Sequence, residues 1–117
     1  MRQYGEVPPW LAANNTPAVV SATGLGTGGG AGISTPDSSG FGDINVQVGK
    51  NYSTSWNIVL NFPLFVVTFF VAAEDAFGTI TQSTAGNQLT ISGTGAHFAG
   101  AGNGKLFKIH YEWSVSK

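Results

Sequence analysis

The last stretch of this chain, residues 105–115, places the tightest limit on what it can fold into. Phe107, Ile109, Tyr111, Trp113 and Val115 alternate there with Lys108, His110, Glu112 and Ser114. An apolar period of two cannot gather on one face of a helix, whose repeat is 3.6, but it lines one side of a pleated strand. The pattern recurs upstream. In 43–48, Ile44, Val46 and Val48 face one way and Asp43, Asn45 and Gln47 the other. In 52–62, Tyr52, Thr54, Trp56, Ile58, Leu60 and Phe62 share a face, with Ser53, Ser55, Asn57 and Asn61 opposite. Further strands are predicted at 78–83, 88–92, 96–99 and 105–116. Gly49-Lys50-Asn51, Ala85-Gly86-Asn87 and the glycine-rich 100–104 supply turns between strands. About seven short strands at this spacing predict an all-β fold, an antiparallel β-sandwich of jelly-roll or immunoglobulin-like kind.

Residues 58–73 form the longest apolar run. Asn61 and Pro63 interrupt it, it falls short of the roughly 20 residues of a membrane helix, and its Val, Phe and Thr suit strands. It reads as two buried strands with a corner at Pro63. The second, 64–73, is apolar on both faces, so Phe65, Val67, Phe69 and Val71 are assigned to a core or oligomer-facing strand covered on both sides. Glu74-Asp75 then close a turn.

Residues 1–40 differ in kind. Four prolines punctuate them, and 24–32 is glycine-rich and nearly low-complexity, so the segment is expected to be an extended arm attached to a sandwich domain of residues 41–117. Yet it carries Tyr4, Val7, Trp10, Leu11, Val19, Val20 and Ile33, anchors that a solvated linker does not need. Ordering glycine-rich backbone costs on the order of 1–2 kcal/mol per residue, so such an arm orders only where a surface buries those anchors. It is expected to dock, on its own domain or on a neighbour.

Composition narrows the function classes. Charged residues make up 9 % of the chain, against roughly 25 % in soluble domains, and the formal net charge is −1. A neutral polar surface lacks the charge that holds free monomers apart, which fits a subunit packed against others, the alternative being an ordinary extracellular β domain. Five scattered basic residues form no patch for a row of phosphates, so no nucleic-acid partner is expected. With no cysteine there is neither a disulfide framework nor a thiolate metal site. No apolar run of signal-peptide length follows Arg2, so the chain is expected to be used without export, and Asn14-Asn15-Thr16 and Asn51-Tyr52-Ser53 are read as chance glycosylation sequons.

The candidate chemistry is thin. Gly24-Leu25-Gly26-Thr27-Gly28-Gly29 fits the G-x-G-x-x-G dinucleotide pattern, but more glycine and then Ser34-Thr35-Pro36 follow where that motif requires a helix N-terminus. His110 and Glu112 project from the same polar face and could share a metal, if a third ligand came from His97, Asp75 or Glu74. Adjacent Glu74 and Asp75 do not make the opposed carboxylates of a glycosidase, and no nucleophile elbow is present. No catalytic residue, cofactor or metal site is therefore assigned, and the chain is not expected to be an enzyme. Tyr52, Trp56, Tyr111 and Trp113 could form a sugar-stacking platform, but each falls on the apolar side of its strand and is assigned to the core.

The low-charge, cysteine-free, Gly/Thr/Ala-rich composition, the block from Gly42 to Gly49 (GDINVQVG) and the ending Ile109 to Lys117 (IHYEWSVSK) resemble small virion proteins of tailed bacteriophages, especially those of actinobacterial hosts. The resemblance covers roughly residues 41–117 as a style of sequence. It implies a sandwich protein located in the virion, a capsid decoration or cement protein or a tail component. It further implies a homo-oligomer, with a trimer favoured, partnered by the major capsid protein or other virion proteins, and no membrane partner. A fainter similarity, in Val59-Leu60-Asn61-Phe62-Pro63-Leu64-Phe65 and Tyr111-Glu112-Trp113, is to H-type lectin-like sandwiches. That similarity implies the alternative of a carbohydrate-binding or host-recognition module.

Overall fold

A computed structural model describes residues 17–27, 32–33, 41–63 and 68–114. Eight strands follow in chain order: β1 (Ala18–Thr23), β2 (Gly32–Ile33), β3 (Phe41–Gln47), β4 (Trp56–Asn61), β5 (Thr68–Ala73), β6 (Thr79–Ala85), β7 (Gln88–Thr94) and β8 (Leu106–Ser114). A 3-10 turn, Asp75–Phe77, joins β5 to β6. The strands form two four-stranded sheets, β1-β4-β7-β6 and β2-β3-β8-β5, here sheet I and sheet II. Every pairing is antiparallel, and the sheets pack as a sandwich. The order departs from that of immunoglobulin domains, in which the first two strands are neighbours, because β1 and β2 lie in opposite sheets.

The inward sets are those the alternation picks out. Ile58, Leu60, Leu89 and Ile91 from sheet I meet Ile44, Ile109 and Tyr111 from sheet II, all with no exposure. Burying one such side chain contributes about 1.5–3 kcal/mol. One end of the sandwich is closed by rings. Phe77 packs edge-on against Trp56 and Phe98 at centroid distances of 5.2 and 5.0 Å, and Phe98 does the same with Tyr52 and Phe107 at 5.1 and 5.0 Å.

Three expectations change. Residues 96–99 alternate like a strand but are not one. Gly95 and Gly100 adopt positive φ on either side, and the backbone instead bonds to neighbouring loops, Ala96 N–H to Thr54 O and His97 N–H to Ala76 O. The segment is a plug that sends Ala96 and Phe98 into the core. The strand expected to begin at Tyr52 begins at Trp56, because the Ser53 backbone N–H is drawn to Gly24 O and the Ser53 hydroxyl accepts from Ser55 N–H. Finally, residues 18–23 and 32–33, counted with the arm, are strands of the sandwich itself. β1 pairs along β4, β2 pairs with β3, and Leu25 between them is buried.

Candidate functional site

The main polar constellation is on the outer face of sheet II. Asp43 and His110 face each other in the β3–β8 register, and Glu112 follows two residues along β8. Period-two geometry puts all three side chains on one side, opposite the buried Ile44, Ile109 and Tyr111. The His110 ring bridges the two acids, with Nδ1 3.0 Å from Asp43 Oδ1 and Nε2 2.8 Å from Glu112 Oε2. Lys108 Nζ lies 3.9 Å from the other Asp43 oxygen, Oδ2. The Glu112 bond, and behind it the Asp43 bond, outweigh partial burial and raise the His110 pKa above 6.5. Protonated, the imidazolium donates to a carboxylate on each side.

This is a row, not a convergent pocket. The two nitrogens of an imidazole point away from each other, so an ion on one of them could be reached by only one of the two carboxylates. The third-ligand candidates are elsewhere. Glu74 accepts the Lys108 backbone N–H at 2.6 Å, Asp75 opens the 3-10 turn, and His97 sits in the loop after β7 beside Gly95 O. No group of three His, Asp or Glu among the described residues is arranged to hold a metal. Asp43 was missed in the sequence as His110's partner. Its strand face was legible, but the β3–β8 pairing that brings it opposite His110 was not.

Sheet I is chemically the opposite. None of its four strands contains Asp, Glu, Lys, Arg or His. Its outer face is built of cross-strand rows, Thr23-Asn57-Ser92-Thr81 and Ser21-Val59-Thr90-Ser83. The Ser92 hydroxyl bonds to the Asn57 carboxamide across β4 and β7. The sandwich therefore has one face of hydroxyls and amides and one face crossed by charge.

The glycine-rich motif is a packing device. Gly24 has φ +81°, and a Cβ there would run into the Ser55 carbonyl; a Cβ on Gly49 would strike the Thr27 backbone. Close approach lets Leu25 O accept from Gly49 N–H, and Thr27 N–H donates to Asn51 Oδ1 at 2.7 Å. The strand before it is followed by no helix among the described residues, and β2 comes next. Beside this crossing lies an open cavity of about 370 Å3, walled by Leu25 and Ile33 with Gln47, Asn51 and Ser53 at its polar side.

Of the residues assigned to the arm, Val19 and Ile33 pack against the protein's own core, whereas Val20 is 53 % exposed. Val20 stands at a register shift between Val19 and Ser21, which frees it from the β4 ladder. Tyr4, Val7, Trp10 and Leu11 lie outside the described residues, as do Phe65 and Val67. β5 is an edge strand with Val71 and Ala73 packed on the core and Ala72 exposed; the Phe69 backbone pairs with Trp113. Trp56 and Tyr111 are buried, and Tyr52 is half-buried against Phe98, so these rings serve the core. No helix among the described residues is long and apolar enough to cross a membrane.

No family model matches the chain. No curated protein matches it, and no solved structure does.

Proposed function

We propose that this chain is a non-enzymatic structural subunit of a tailed-bacteriophage particle, a capsid decoration or cement protein. It works as a homo-oligomer in the virion and binds the major capsid protein or other virion proteins through its sandwich and N-terminal segment. The observation that carries the reading is the charge-free sheet I. Interface cores are depleted of charged residues, and a face of Ser, Thr, Asn and Gln docks without stranding an ion away from water. Exposed Val20 at the rim of that sheet adds apolar area, and Tyr4, Val7, Trp10 and Leu11 would add more, at roughly 25 cal/mol per Å2 removed from water. Repetition at each symmetry-related position turns weak single contacts into a stable shell.

The test is mass spectrometry of purified particles released by cells that carry the gene. The chain is expected at a fixed ratio to the shell protein, and removal of the gene should yield particles that break at lower temperature or lower salt. Particles that lack the chain altogether would sink the reading.

A further inference from the structure

Asn103 is followed by Gly104, and the chain has no second Asn-Gly pair. The side-chain carboxamide carbon of an asparagine is open to attack by the backbone nitrogen of the next residue, which closes a five-membered ring. A side chain on that next residue crowds the attack, and glycine has none. Every other asparagine of the chain precedes a residue with a side chain. The fold leaves both reacting groups of the pair unheld. They lie in the turn of residues 99–104, between the plug and β8, and both residues are exposed. Three backbone bonds tie that turn down: Ala101 N–H to Phe98 O at 3.1 Å, Gly102 N–H to Val48 O at 2.9 Å and Asn103 N–H to Gly100 O at 3.1 Å. Gly104 O accepts from Gln47 Nε2 at 2.9 Å. Among the described residues, neither the Asn103 carboxamide nor the Gly104 N–H has a hydrogen-bond partner. By contrast, Asn51 Oδ1 accepts from Thr27 N–H, and the Asn57 carboxamide bonds to the Ser92 hydroxyl.

We propose that Asn103 is a self-modification site, converted to isoaspartate and aspartate through attack by its own backbone. The Gly104 nitrogen gives up its proton to solvent and bonds to Asn103 Cγ. The carboxamide nitrogen takes up a proton and leaves as ammonia, and a succinimide ring remains. Water then opens that ring at one of its two carbonyls. Opening at Cγ restores the ordinary main chain and leaves aspartate; opening at the main-chain carbonyl leaves isoaspartate, in which the chain runs through Cβ and Cγ and is one atom longer. Water is the sole co-reactant, and nothing is oxidised or reduced. The formal net charge passes from −1 to −2, since one neutral amide becomes one carboxylate. That carboxylate enters a turn flanked by two lysines, with the Lys50 side chain against Gly102 and that of Lys105 beside Gly100. The longer main chain of the isoaspartate form falls between the Asn103 N–H bond to Gly100 and the Gly104 O bond to Gln47, the two contacts that shape the entry to β8.

The experiment is intact-mass spectrometry with peptide mapping of the folded full chain, after prolonged incubation at mildly alkaline and at mildly acidic pH. The mass should rise by about 1 Da, as an amide becomes an acid, and mapping should place the change and the isoaspartate at residue 103. The rise should be faster at alkaline pH, because the attacking nitrogen must lose its proton. Asn103→Gln, whose longer side chain would have to close a larger ring, should keep its mass under the same conditions. A synthetic peptide of residues 99–106 supplies the rate without the fold. A folded chain that keeps its mass while that peptide changes overturns the proposal, as does modification that falls first on another asparagine or that persists in Asn103→Gln. If the variant fails to fold, the wild-type map alone decides. The site does not depend on the virion role. Particles without the chain would remove that role and leave Asn103 chemistry standing, and an unmodified chain present in particles would do the reverse.

Discussion

Trp56 and Gly93 are directly paired across β4 and β7, and the indole occupies the space that a side chain on Gly93 would need. With that space free, Trp56 Nε1 reaches the Phe77 carbonyl and donates to it at 2.9 Å inside the core. Glycine at 93 is thus required by a neighbour's ring. Gly93→Ala is expected to overpack the site and cost about 1–3 kcal/mol. Trp56→Phe, which leaves the Phe77 carbonyl without its donor, is expected to cost about 1–3 kcal/mol. Urea denaturation followed by fluorescence measures the first; the second needs circular dichroism. A Gly93→Ala protein as stable as wild type would contradict the geometry.

Phe77 joins the ring cluster from the 3-10 turn, where it touches Trp56, Phe98 and Phe107 and has no exposure. Phe77→Ala is expected to destabilise by about 3–5 kcal/mol, because rings from three separate segments cannot all collapse into the space left behind. Thermal melting of the variant beside Phe77→Leu, which keeps most of the volume, checks this. Equal melting temperatures for the two would mean that the cluster relaxes freely.

The Asp43–His110–Glu112 row makes stability depend on pH with a definite sign. The folded pKa of His110 is raised, so folding favours the protonated ring. The contribution is fully present below the unfolded value of about 6.5 and is lost as pH rises through the higher folded value. All three groups are partly exposed, with 37 %, 43 % and 30 % side-chain exposure for His110, Asp43 and Glu112, so solvent screening holds the effect to about 0.2–1 kcal/mol. His110→Gln should lower stability at pH 6 and leave it nearly unchanged at pH 9, with His97 common to both proteins. Denaturant midpoints across that range decide. Parallel pH profiles for variant and wild type would show that the row carries no linkage.

Removal of residues 1–40 tests how the N-terminal part belongs to the fold. The sequence leads one to expect a sandwich that survives this cut. In the structure the cut strips β1 from β4, β2 from β3, and Leu25 from the core. The truncated chain is expected to lose cooperative unfolding or to aggregate through the bared β4 edge. A sharp thermal transition near that of the full chain would refute this.

What could be read in advance, and what could not, follows the range of the physics. The inward set on β3, β4, β7 and β8 was legible because alternation is a local property: Ile44, Ile58, Ile91 and Ile109 announce a buried face with no knowledge of what covers them. The plug at 96–99 misled because Ala96 and Phe98 do alternate inward while the flanking glycines turn the backbone away from any ladder. β1 was hidden because six residues between a proline and a glycine tract, five of them exposed, carry almost no period-two signal.

The sequence by itself determined that this is a β protein with little charge, and that side chains on strands such as β3, β4 and β8 are sorted to two sides. The tertiary structure alone decided which strands are neighbours. Only that choice brings Asp43 to His110 and gathers the charge-free strands β1, β4, β6 and β7 into one sheet. The reason is physical. A side chain's face is fixed by the pleat of its own strand, whereas a strand's partner is fixed by closing loops of many residues around a shared core, a sum over the whole chain that no short window contains.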